Sequence, residues 1–235
     1  MKRASTREVT TVPSDLDHLF ICTSAGAPEA DLLVQFGLTE GAPNRHPGQG
    51  TACRRFFFLN AYLELLWVDE PATAQGDPVR RTGLWERWSR SGRDCSPYGI
   101  CLRPARRVVD EAPFPAWDYQ PPYLPDPLVI QIGADSAMAS EPFLGFLKFA
   151  RRPDSYESSM RQPLEHAAGF RTITRARVSS PRNAAGSLAL SHIEQDCPCL
   201  SFGRGDEELL EVGFDDETQT QSADFRPALP LIMRW

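Results

Sequence analysis

Residues 45–68, RHPGQGTACRRFFFLNAYLELLWV, place a single carboxylate, Glu64, inside an apolar run of strand length. Ala52–Leu59 and Tyr62–Val68 read as two strands, because bulky apolar residues fill both runs and only Asn60-Ala61 separates them. Alternation puts Glu64 on one face with Tyr62, Leu66 and Val68, opposite Leu63, Leu65 and Trp67. A charge left unpaired in such a sheet costs several kcal/mol. Glu64 therefore calls for a metal ion, a cationic side chain or a proton to move. Arg54 or Arg55, one strand away, supplies the structural alternative, since a guanidinium fork satisfies a carboxylate fully.

The same alternation is readable upstream. Leu16–Thr23 predicts a strand with His18, Phe20 and Cys22 on one face and Leu19 and Ile21 on the other. A helix is expected from Pro28 to Phe36, with Leu32, Leu33 and Phe36 at helical spacing and Gly37 as its stop. Residues 69–96 read as a linker with a short helix at Leu84–Trp88. Tyr98–Leu102, Leu128–Ile132 and Phe143–Phe149 have strand length, each bounded by Pro or Gly. Between the first two, the prolines of FPAWDYQPPYLP exclude regular pairing over much of the segment, and Trp117, Tyr119 and Tyr123 either line a cleft or pack as a lid. The opening order then recurs: strand 173–179, helix 183–194, and strands 199–202, 209–214 and 230–235.

The chain has 235 residues, 21 prolines against 16 glycines and a net charge of −6, with basic residues scattered and no basic stripe. That composition favours short strands over long helices and argues against a nucleic-acid surface. The first residues hold no apolar core of signal-peptide type and no segment reaches membrane-span length, so a cytoplasmic protein is expected. Its six cysteines are then expected to be reduced. Cys197 and Cys199 form a CPC pair able to offer two thiolates, but no second pair lies near in sequence, and they read as small buried residues. There is no nucleophile elbow, Walker loop, dinucleotide fingerprint or HExxH helix.

DHLFICT at 17–23 followed by HPGQGTACRRFFFLNAYLELLWV at 46–68 resembles the glyoxalase-like branch of the vicinal oxygen chelate superfamily, with weaker likeness through EPFLGFLKF at 141–149 and LEHAAG at 164–169. The resemblance implies an α+β fold of repeated βαβββ modules, whose curved mixed sheets form a cleft. It divides the chain into a flexible arm at 1–14, a glyoxalase-like domain of two paired modules at 15–170 with the second degenerate, and a further βαβββ-like unit at 171–235.

In that family the first and last strands of each module carry the ligands of a divalent metal that chelates the substrate. Carried over, His18 and Glu64 are the ligands of the first module, with Glu64 also the catalytic carboxylate. Zn, Ni, Mn and Fe suit this pair equally. The comparable strands of the later modules hold no His, Glu or Asp. A third ligand or substrate contact is sought among His46, in the Pro-Gly loop, and His166, with Arg54, Arg55, Tyr119 and Tyr123 as further contacts. The implied function is a metal-dependent lyase or isomerase acting on an oxygenated small molecule. The alternative is a metal-free protein that sequesters a small ligand. An odd number of modules also leaves a sheet face to cover, which makes a homodimer an expectation.

Overall fold

The structure is a computed structural model that describes residues 14–89, 95–105, 111–182 and 186–235. The arm expected at 1–14 lies outside the described residues apart from Ser14, which opens the first strand.

The first module runs β1 (Ser14–Cys22), α1 (Ala30–Phe36), β2 (Asn44–His46), β3 (Thr51–Phe57) and β4 (Tyr62–Val68). Two short helices follow, α2 (Pro71–Gln75) and α3 (Leu84–Ser89). The second module supplies β5 (Tyr98–Pro104), β6 (Ala116–Tyr119), β7 (Ile130–Gly133) and β8 (Phe143–Phe146). All eight strands form one sheet in the order β2-β3-β4-β1-β5-β8-β7-β6. Each module thus contributes four strands, with its first strand next to its last. The modules join where β1 and β5 pair antiparallel.

Two details of the second module differ from expectation. No helix is present among its described residues between β5 and β6. Ala116–Tyr119, expected to be irregular, forms an edge strand against β7, because Pro113, Pro115, Pro121 and Pro122 flank these four residues instead of interrupting them.

The carboxy-terminal region forms a separate sheet from β9 (Ile173–Ser180), β10 (Leu200–Arg204), β11 (Leu209–Phe214), β12 (Ser222–Asp224) and β13 (Leu231–Arg234), with α4 (Leu188–Asp196) between the first two. Its order is β10-β9-β11-β13-β12. The Ser187 hydroxyl caps this helix, accepting from the Leu190 amide at 3.3 Å, and residues 183–185 of the span expected to be helical lie outside the described residues.

Alternation sorts the eight-stranded sheet into two faces. On one face Leu19, Ile21, Leu63, Leu65, Ile100 and Leu102 join a core shared with Leu33 of α1 and with Val178, Val212, Leu231 and Met233 of the second sheet. Phe58 and Phe214 touch across it with ring centroids 4.8 Å apart. The second sheet therefore covers its inner face against this chain's own first sheet. The packing reason for a homodimer is met within one chain. On the other face Phe20, Leu66, Leu84, Ile132, Phe143 and Leu147 form a smaller cluster, and this is where the sheet encloses a cleft.

Candidate active site

The cleft has a volume of about 220 Å³. It is polar on the side of β1, β4 and β2, where His18, Tyr62, Glu64 and His46 face it, and apolar toward Phe20, Leu66, Phe143 and Leu147. A wider groove of about 810 Å³ runs past Trp88 and Glu207, but the titratable groups of the motif-bearing strands face the smaller cleft.

His18 and Glu64 both face the cleft, as the alternation predicts, because β4 runs parallel to β1 with Tyr62 beside His18 and Glu64 beside Phe20. The Tyr62 ring stacks on the imidazole at 4.5 Å and 20°. Asp17 Oδ2 takes His18 Nδ1 at 2.7 Å. Burial works against charging this ring, but the Cys101 sulfur, the Glu64 carboxylate and the Asp17 hydrogen bond outweigh it and hold the His18 pKa well above 6.5. Asp17 engages Nδ1 of His18, and the Cys101 sulfur is the ring's other hydrogen-bond partner.

Asp17 is buried with Arg103 for a neighbour. The Arg103 guanidinium donates to the Leu16 carbonyl and approaches Asp17 Oδ1 at 3.8 Å. The DH pair is plain in the sequence, yet Asp17 carried no role there, since neighbours along a regular strand point to opposite faces.

Neither arginine neutralises Glu64. Arg54 lies on the other face, holding Glu40 through two bonds of 2.8 and 2.6 Å and Asp31 at 2.8 Å. Arg55 sits directly across from Glu64 in the β3–β4 register, but its guanidinium donates to the Ala42 carbonyl at 3.0 and 2.9 Å. Among the described residues no cationic side chain is within ion-pair distance of Glu64. The structural salt bridge to Arg54 or Arg55 is not formed.

His46 reaches the cleft from β2. The Asn44 amide donates to its Nε2 at 2.9 Å, so Nδ1 carries the proton and donates to Thr51 Oγ1 at 2.9 Å. Burial lowers its pKa below 6.5, the Glu64 charge only partly opposing, and the ring is neutral. Tyr123 packs on it at 4.9 Å and reaches Gln49 Oε1 at 3.5 Å. Gly48, with φ +76°, allows the Pro-Gly loop this approach, since a Cβ there would meet Pro122 at 2.7 Å. Tyr119 lines the far wall with its hydroxyl buried and unpaired.

His166 is not in the cleft. Its Nδ1 accepts from the Thr39 amide at 2.9 Å, so Nε2–H donates to the Phe57 carbonyl at 2.9 Å, and its ring packs on Phe58. With both nitrogens engaged it ties the loop after α1 to the end of β3.

The donor set does not fit a divalent metal with three protein ligands. Among the described residues no group of three His, Cys, Asp or Glu side chains is placed to hold an ion. The β1–β5 register sets Cys101 opposite His18, and burial raises that thiol's pKa, His18 only partly opposing. In β8, Gly145 lies beside Cys101, so the place matching Glu64 falls two residues on, at Leu147. The second module thus offers a thiol and a leucine where the first has His18 and Glu64. Cys101 is a cleft residue missed in the sequence, because only the strand pairing reveals it.

Two four-stranded modules joined edge to edge around one cleft are the architecture of the vicinal oxygen chelate class. Residues 16–121, the stretch from β1 through β6, match the family model of the glyoxalase-like domain. The crystal structure of a hypothetical protein from Staphylococcus aureus is similar at a TM-score of 0.47 and 12% identity, over 94% of this chain and 98% of that one. No curated protein matches the chain. No helix among the described residues is long and apolar enough to cross a membrane.

Proposed function

We propose that the chain is a small-molecule enzyme of lyase or isomerase type, which moves a proton on a carbon next to a carbonyl. The observation that supports it most is Glu64, buried in the cleft with no Arg or Lys paired to it among the described residues and facing the same space as His18, whose pKa it helps to raise. A carboxylate in this setting serves as the base that takes the proton from carbon. His18, oriented by Asp17, turns its second N–H from the Cys101 sulfur to the oxygen on which negative charge develops. Stacking on Tyr62 keeps the imidazole in that plane, and the apolar wall of Phe20, Leu66, Phe143 and Leu147 excludes water from the exchanging proton. A cleft of about 220 Å³ suits a substrate smaller than the usual drug-sized ligand.

The test is proton exchange in D₂O, followed by NMR, on hemithioacetals formed from 2-oxoaldehydes and on small 2-hydroxy ketones. The expected result is deuterium at the carbon next to the carbonyl, slowed roughly 10²- to 10⁴-fold by Glu64→Gln. Binding of these compounds without exchange would overturn the enzyme reading in favour of sequestration.

A further inference from the structure

Cys197 closes α4 and Cys199 leads into β10, with Pro198 between them. Their sulfurs are 3.3 Å apart. A disulfide requires about 2.05 Å, so the bond is little more than about 1 Å of sulfur movement away. The backbone on both sides is pinned: the Cys197 amide donates to Ile193 at 2.8 Å, the Leu200 amide to Cys197 at 2.9 Å and the Ala176 amide to Cys199 at 2.7 Å. The two thiols are held facing each other by main-chain bonds that do not involve the sulfurs.

Their exposures differ in a useful way. Cys197 is buried, whereas Cys199 is only half-buried. The contact with the Cys197 sulfur lowers the Cys199 thiol pKa from 9.0, burial opposing this and Arg103 adding to it. The remaining four cysteines, Cys22, Cys53, Cys95 and Cys101, are all buried, and burial raises the thiol pKa of Cys22, Cys53 and Cys101. Reading CPC as two small core residues therefore suits Cys197 alone.

We propose that Cys197 and Cys199 are a modification site for hydrogen peroxide, which oxidises the pair reversibly to a disulfide. The half-exposed Cys199 thiolate attacks a peroxide oxygen. The S–O bond forms, the O–O bond breaks, and the leaving hydroxide takes a proton to become water. Cys197 then attacks the resulting sulfenic sulfur: the S–S bond forms, the S–O bond breaks, and the hydroxide released takes the Cys197 proton. The peroxide gains two electrons, the two thiols lose them, and two waters leave. The site lies against the start of β1, where Cys197 meets the backbone of Leu16, one residue before Asp17, and Asp15 is close. It requires no activity of the cleft.

The test treats the reduced full chain with equimolar hydrogen peroxide, then alkylates with iodoacetamide and maps the peptides. The expected product lacks the mass of two hydrogens, links Cys197 to Cys199, and regains both thiols with dithiothreitol. Loss of free thiol should be about tenfold faster here than at the four buried cysteines, as thiolate character and access dictate. Cys197→Ser should stop at a Cys199 sulfenic acid that dimedone traps. Cys199→Ser, altering the half-exposed member, should leave Cys197 reduced at the same dose. The proposal is overturned if both thiols stay alkylatable while the fold is intact, or if another cysteine is oxidised first.

Discussion

Asp17 and His18 are consecutive residues of one strand, yet their side chains meet, with Asp17 Oδ2 2.7 Å from His18 Nδ1. The pairing of β1 with β5 explains it. Leu16 faces Leu102 and His18 faces Cys101, so Asp17 is an extra residue with no partner of its own, a bulge that turns its side chain toward its neighbour's. The sheet is broken at one point in order to aim an imidazole.

Asp17→Asn removes the anionic acceptor of His18 Nδ1, and the His18 pKa should fall in an NMR titration. Stability follows the same linkage. Because the folded-state pKa lies above 6.5, folding binds a proton, and the contribution is complete below about pH 6.5 and lost as the pH rises through the folded value. Urea melts of the native protein should show this decline on the alkaline side, and Asp17→Asn should flatten it. An unchanged profile would mean that Asp17 does not hold the charge.

Glu64→Gln should separate function from fold. The glutamine keeps the shape and removes the charge that helps to raise the His18 pKa, so urea stability should fall only slightly, and only below the folded His18 pKa, while proton exchange falls at every pH. A marked loss of stability instead would assign Glu64 a structural partner and remove the reason for reading it as a base.

The half of the site that was legible is the half that alternation controls. His18 and Glu64 lie on strands whose odd-even pattern fixes the face, and both reach the cleft. The bulge at Asp17 defeats that pattern, and Cys101 needs the β1–β5 register, which local sequence does not carry. Ala116–Tyr119 was hidden by the prolines on either side. His166 shows the opposite error: a histidine beside a glutamate resembles a ligand, but its partners Thr39 and Phe57 lie 127 and 109 residues away. Packing across such distances has no local signal.

His166→Ala should therefore cost stability and spare the chemistry. It leaves the Thr39 amide and the Phe57 carbonyl without their partner, a loss of about 1–3 kcal/mol in urea denaturation. Proton exchange per folded molecule should be unaltered. A selective loss of exchange at full stability would return His166 to the site.

The second module invites a constructive test of the donor set. His18 on β1 faces Cys101 on β5, and Glu64, two places along from Tyr62, corresponds to Leu147, two places along from Gly145. The Leu147 amide is already held by the Leu102 carbonyl at 2.9 Å, so its backbone continues the strand, and its side chain already lines the cleft. Cys101→His with Leu147→Glu would supply a second imidazole and a second carboxylate where the first module has its own. Together they form a His₂Glu₂ set of the kind that divalent ions bind. Added Zn should then raise the melting temperature of the double variant much more than that of the native protein, because metal that binds only the folded state stabilises it. Equal stabilisation of both would show that the native cleft already gathers enough donors, and would make the ion part of the site.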